Sequence, residues 1–141
     1  MAYDPNNIFA KILRGEIPSF GVYEDDATLA FMDVMPQSPG HTLIIPKSPA
    51  ENLFDLDINA GTAVLRTTKI VADAVKKAFK ADGIVLKQFN GPVAGQTVFH
   101  FHIHIIPRYE DVPLRAHTGK MEDSKVLEEH AKKIRAVLDS M

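Results

Sequence analysis

Three histidines within five residues, His100, His102 and His104, alternate with Phe101 and Ile103 inside the run Gln96-Thr97-Val98-Phe99-His100-Phe101-His102-Ile103-His104-Ile105-Ile106-Pro107. Successive side chains of a β-strand point to opposite faces. The spacing therefore predicts the three imidazoles on one face and Phe99, Phe101, Ile103 and Ile105 on a core-directed one. Two chemistries use such a row. A metal site needs ligand nitrogens at about 2.0–2.1 Å from one centre. At roughly 3.3 Å of rise per residue, His100 and His104 stand about 13 Å apart, too far to share a centre readily with His102. A metal would engage two of the three with His41 or Asp33, leaving the third unexplained. Phosphate chemistry uses all three. A neutral imidazole attacks an α-phosphorus near neutral pH, giving a covalent phosphoramidate that water later hydrolyses. The attacking nitrogen keeps its lone pair when the other ring nitrogen donates to an acceptor. Flanking histidines can donate to phosphate oxygens or move protons. His102, in the middle, is the natural nucleophile.

The preceding stretch Asn90-Gly91-Pro92-Val93-Ala94-Gly95-Gln96-Thr97 reads as a turn that supports phosphate. Its glycines let backbone N–H groups approach an anion, and a concave run of such donors binds phosphate without a lysine.

The elements that must carry these residues follow from pattern. The 141 residues, 45% hydrophobic and 24% charged, read as one soluble globular domain over 1–141. A net charge of -2 offers no field for nucleic acid or an anionic membrane. No cysteine is present, which excludes disulfides, thiol catalysis and Cys-containing zinc sites. The first residues lack a basic leader and an apolar run, and no stretch reaches the length of a membrane span, so a cytoplasmic location is expected. Asn6 or Asn7 caps a short helix to Arg14 that Gly15 ends and Pro18 keeps from resuming. Residues 21–24 and 28–32 read as a hairpin about Asp25-Asp26-Ala27, and 41–46 as a third strand. The helical period runs from Asn59 to Ala81, with Gly83 as its stop. Residues 84–89 and 98–106 form the fourth and fifth strands, the latter ending at Pro107. A polar linker leads to a helix from about Asp123 to Leu138. The order is α+β about an antiparallel sheet. The lysines of the long helix read as its wet face, and His117 and His130, in polar surroundings, as solvated surface.

The histidine run resembles the signature of the histidine triad (HIT) superfamily, His-φ-His-φ-His-φ-φ with φ apolar. Upstream, Ile8-Phe9, Arg14-Gly15-Glu16-Ile17-Pro18, Glu24-Asp25-Asp26, Ala30-Phe31-Met32-Asp33-Val34-Met35-Pro36-Gln37-Ser38-Pro39-Gly40-His41 and Ile45-Pro46-Lys47 are similar to its HINT-like, nucleoside phosphoramidase branch. The motif-bearing core spans about 7–109, with 110–141 as linker and C-terminal helix. The resemblance implies a five-stranded antiparallel sheet with a long helix and a C-terminal helix, homodimeric with sheets joined across the interface and the 59–81 helix facing its copy. It implies a nucleotide hydrolase or transferase working through a nucleotidyl-histidine. Purine nucleoside 5′-phosphoramidates, cleaved to AMP or GMP and an amine, are the first substrate class. Dinucleoside polyphosphate hydrolysis and a non-catalytic nucleotide-binding module are the alternatives. By position, His102 is the nucleophile oriented by the His100 carbonyl, and His104 contacts the phosphate and leaving group. His41 stands behind the triad in a relay with His100. The Thr97 hydroxyl and the Val98 amide hold the α-phosphate, helped by Gly95 and Gln96. Asp33 accepts from both ribose hydroxyls, and Phe9, Ile12, Phe31 and Val34 sandwich a purine. No cofactor is implied. The chain departs from the family pattern in three ways. Phe89 stands where relatives carry an amide, leaving Asn90 to serve. There are no zinc-binding cysteines, so no structural zinc is expected. The C-terminal segment is free of tryptophan.

Overall fold

The structure, a computed structural model, describes residues 2–117 and 120–141. The chain runs α1 (Ile8–Leu13), β1 (Gly21–Glu24), β2 (Thr28–Met32), β3 (Thr42–Pro46), α2 (Ile58–Phe79), β4 (Gly83–Lys87), β5 (Ile103–Arg108) and α3 (Ser124–Ser140). The five strands form one antiparallel sheet in the order β1-β2-β3-β5-β4. This matches the α+β, five-stranded architecture expected from the sequence.

Local chemistry sets the boundaries. Asn7 caps α1 by accepting the Ala10 N–H at 2.9 Å, and Asp57 does the same for α2 through Ala60. Asp25 closes the β1–β2 turn by accepting the N–H groups of Ala27 and Thr28 at 2.9 and 2.7 Å. The long helix ends with Lys80 in the left-handed region (φ 51°) rather than at Gly83, which instead opens β4.

On one face of the sheet, Ala30, Met32, Ile44 and Ile105 pack against Val64, Val71, Ala74 and Val75 of α2 and Leu127, Ala131 and Ile134 of α3. The other face carries a smaller cluster of Phe9, Phe31, Leu43 and Ile45, flanked by Ile12, Leu13, Leu29 and Val98. This second cluster anchors α1 beside the histidines. Gly40 joins the two sides. Its φ is +93°, and a Cβ there would stand 2.7 Å from Phe79 Cδ2, so the turn before His41 presses its bare backbone against the end of α2.

Two sequence expectations change. The strand predicted over 98–106 pairs only from Ile103, because the Phe101 N–H donates to Ala50 O at 2.8 Å, outside the sheet. It then continues through Pro107 to Arg108. Its pairing with β3 extends from Ile103 to Ile105, so the missing N–H of Pro107 lies beyond that ladder. His130, expected on the solvated surface, is half-buried with its ring edge-on to Phe79 at 5.1 Å. Among the described residues, no helix is long and apolar enough to cross a membrane.

Candidate active site

Hydrogen-bond partners of known polarity assign a tautomer to each buried imidazole. His102 Nδ1 lies 2.7 Å from the carbonyl oxygen of His100. A carbonyl only accepts, so His102 carries its proton on Nδ1 and a lone pair on Nε2. His100, fully buried, donates from Nε2 to Pro46 O (2.8 Å) and accepts at Nδ1 from the Tyr3 hydroxyl (2.7 Å). His41 Nδ1 accepts the Gln37 N–H at 3.0 Å, which places the His41 proton on Nε2. That N–H points to His104 Nδ1 at 2.9 Å, with Asp33 Oδ2 3.3 Å away. His104 is thereby left with an N–H on Nε2. The chain of donors Gln37, His41, His104 thus sets a proton donor next to a lone-pair nucleophile, with the His102 and His104 ring centroids 5.0 Å apart. The relay pairs His41 with His104; the expected partnership with His100 is not formed.

Burial keeps these rings neutral. It pushes His41 down to about 4 against the opposing pull of the Asp33 carboxylate. It pushes His104 down to about 2, with His102 and His41 adding to the effect. His100 and His102 are lowered by the same desolvation, partly offset by their carbonyl acceptors. An unfolded histidine takes up a proton near pH 6.5. Below about that value the unfolded chain binds protons that the folded protein refuses, so stability falls as pH falls, by up to about 1.4 kcal/mol per pH unit per histidine. For His41 the loss continues to about pH 4. Thermal melts across this acid range are expected to show a steady fall in Tm, and a flat profile would contradict neutral buried imidazoles.

Asp33, His41 and His104 offer ligand atoms within 4.8 Å of one another, a spacing a cation could use. The far side of His41 argues against one. A ligating imidazole normally donates its other N–H to an acceptor, whereas His41 Nδ1 faces the Gln37 N–H, a donor. A cation on Nε2 would set N–H against N–H. The cluster is built to order protons.

The remaining expected site residues divide. Phe9, Ile12 and Phe31 lie together, with the edge of Phe9 against His102 at 4.9 Å and against Phe31 at 5.4 Å. Val34 packs against the main core instead. Gly91 and Gly95 take left-handed φ values of +95° and +107°, turning the loop about Pro92–Ala94. Thr97 is exposed beside the histidines, and among the described residues nothing takes up its hydroxyl or the Val98 N–H. Gln96 is buried with its side chain committed. It accepts the Gly91 N–H and donates to Glu51 O and Val98 O, so it braces the loop. Asn90 is likewise engaged with Gln88 and the Leu53 N–H. Asp33 is buried, and its Oδ1 accepts the Met35 N–H at 2.8 Å.

Sequence reasoning missed Tyr3 and left the contacts of Phe89 and His117 unread. Tyr3 holds His100. Phe89 stands 5.8 Å from His104. His117, exposed as expected, also sets Nε2 3.2 Å from Asp33 Oδ2. Nothing in local sequence signals these contacts, because each joins segments far apart in the chain.

The site thus sets a buried imidazole with a lone pair on Nε2 beside one with an N–H on Nε2, on a five-stranded α+β sheet. The chain belongs to the HIT family: the HIT domain model matches residues 14–111. The crystal structure of a Hit-like protein involved in cell-cycle regulation from Bartonella henselae superposes with a TM-score of 0.91 at 54% identity, over 96% of this chain and 99% of that one. A hypothetical histidine triad nucleotide-binding protein from Sulfolobus tokodaii gives 0.85 at 34% identity, over 94% and 91%. Adenylylsulfatase HINT3 of Arabidopsis thaliana is 40% identical over 121 residues, 82% of this chain and 61% of that protein. The chain is thus a nucleotide-binding hydrolase or transferase of this family.

Proposed function

We propose that the protein hydrolyses purine nucleoside 5′-phosphoramidates to AMP or GMP and an amine through a nucleotidyl-His102 intermediate. The His102 Nε2 lone pair forms a bond to the α-phosphorus as the P–N bond breaks. The bonding pair leaves with the amine, which takes its proton from solvent. Water then attacks the same phosphorus and releases a proton to solvent, the P–Nε2 bond breaks with its pair returning to nitrogen, and His102 regains its lone pair. Neutral His104 donates from Nε2 to the phosphate and the departing atom, while the Thr97 hydroxyl and Val98 N–H hold the remaining oxygens. Asp33 accepts from the ribose hydroxyls, and Phe9, Ile12 and Phe31 face the purine. The observation that carries this reading is the 2.7 Å bond from His102 Nδ1 to His100 O, which leaves Nε2 unprotonated. Intact-protein mass after an early quench with adenosine 5′-phosphoramidate tests it. An adduct of one nucleotidyl group is expected, and its absence together with absent AMP release refutes the proposal.

A phosphoanhydride substrate, either a dinucleoside polyphosphate or a mixed anhydride such as adenylyl sulfate, is the second reading. The adenylylsulfatase of Arabidopsis thaliana, to which the chain is similar, supports it. A sulfate departs without a proton, so comparing the pH dependence of the two substrates separates the readings.

The exposed apolar residues Ile58 and Leu65 of α2 and Leu86 of β4, which forms one edge of the sheet, support a homodimer in which α2 faces its copy. Sedimentation at micromolar concentration is expected to give twice the 15.6 kDa chain mass. A Leu65→Glu variant is expected to sediment as the monomer.

A further inference from the structure

Asp33 is the carboxylate of the site, 4% exposed, and its oxygens are already engaged by the chain itself. Oδ1 accepts the Met35 N–H at 2.8 Å, and Oδ2 lies 3.3 Å from His41 Nε2. His117 Nε2 stands over the open side, 3.3 and 3.2 Å from Oδ1 and Oδ2. A carboxylate with only lone pairs to offer makes that Nε2 a donor. Arg115, two residues before His117, and Glu122, further along, are both bonded to the turn that follows Asp33. The Arg115 N–H donates to Gln37 O and the Glu122 N–H to Val34 O, both at 2.8 Å, and Gln37 Nε2 reaches Arg115 O at 3.3 Å. The His117 ring is therefore delivered to Asp33 by the docked backbone at Arg115, while its side chain stays 32% exposed.

Under the proposed function Asp33 receives the ribose hydroxyls, and the inference that follows rests on that reading. We infer that His117 is an internal ligand of Asp33, occupying the sugar-hydroxyl position in the free protein and exchanging with the 2′,3′-diol of a ribonucleotide. The physical need is plain. A buried carboxylate stripped of its donors is costly, so the empty site keeps one in place. The route out is short, because rotation of the partly exposed side chain reaches solvent with the clamping backbone bonds intact. Exchange also acts on turnover. A nucleotide must displace His117 to bind, so its apparent affinity is lowered by the fraction of molecules with Asp33 open. The same ring re-docks as AMP departs, which favours product release.

Calorimetric titration of AMP and of 2′,3′-dideoxy-AMP into the full-length parent and a His117→Ala variant tests this. Removing the competitor is expected to tighten AMP by about 3- to 10-fold. Dideoxy-AMP, which has no hydroxyls to exchange, is expected to change little. If both proteins prefer AMP over the dideoxy nucleotide to the same degree, the exchange is overturned while the ribose role of Asp33 stands. If neither protein prefers AMP, the ribose role fails and the exchange fails with it. Weaker AMP binding by His117→Ala also overturns the exchange, making His117 a direct nucleotide contact. So would a crystal of the AMP complex with the His117 ring still on Asp33.

Discussion

Replacing His102 with alanine is expected to lower turnover of adenosine 5′-phosphoramidate by about four orders of magnitude or more and to abolish the nucleotidyl adduct. His102 is the histidine whose outward nitrogen carries a lone pair by virtue of a fixed acceptor, the His100 carbonyl. His104 presents an N–H in that direction because the His41 N–H fills its Nδ1. No neighbour can therefore take over the attack without a change of tautomer. The fold should survive, since the His102 ring packs edge-on against Phe9 and carries no strand pairing. The contrast is His100→Ala. What His100 gives to catalysis is a backbone carbonyl, which alanine keeps, whereas its fully buried ring ties Tyr3 to Pro46. That variant is expected to lose stability first, with the adduct still detectable. Single-turnover quenching with intact mass, beside thermal melts, separates the two. A His102→Ala protein within about tenfold of the parent would place the nucleophile elsewhere.

The row of histidines is legible from spacing because alternation with Phe and Ile gathers three imidazoles on one strand face, where an ordinary half-buried strand carries Thr, Lys or Ser. What spacing does not supply is register. The partner of His41 depends on β3 lying against β5 with Leu43 opposite His104, a pairing between residues about sixty apart in sequence. A local pattern carries no trace of it, and the family resemblance, carried over by position, sets His41 against the wrong member of the triad. The start of β5 fails for a related reason. Alternation predicts a strand from Val98, but a strand exists only where a neighbour offers a ladder, and Ala50 draws the Phe101 N–H away from the sheet. Gln96 reads as a phosphate donor because amides donate, and its use as a brace is visible only once Glu51 O is beside it. His117 is exposed as its surroundings suggest, but its contact with Asp33 is not legible. Its polar neighbours describe the linker correctly but do not reveal that the linker docks on Gln37 and Val34. The helices are the most legible parts, since their caps at Asn7 and Asp123 are local chemistry.

The second large effect is expected from His41→Ala, at a position that touches no substrate. His41 is fully buried and satisfies two groups at once, the Gln37 N–H and His104 Nδ1, with Asp33 Oδ2 3.3 Å from its Nε2. Alanine leaves the Gln37 N–H and His104 Nδ1 facing a hole. Unpaired buried polar groups cost about 1–3 kcal/mol each and are not fully additive, so a stability loss of about 2–4 kcal/mol is expected by chemical denaturation. Activity should fall separately. Without the His41 N–H, His104 is no longer held with its proton on Nε2, and the tautomer bearing the proton on Nδ1 can turn to Asp33 Oδ2, now 3.8 Å away. That tautomer presents a lone pair to the phosphate instead of a donor. Losing one such donor costs about 10²–10³-fold in kcat. KM is expected to move less, because the Thr97 hydroxyl, the Val98 N–H and the purine face are untouched. The variant should be assayed well below its lowered Tm, so that the kcat loss is read on folded protein. A His41→Ala protein that keeps parental kcat while losing only stability would reduce His41 to a packing residue. A parallel fall in kcat on both phosphoramidate and adenylyl sulfate would place the His104 N–H on the phosphate oxygen rather than on the departing atom.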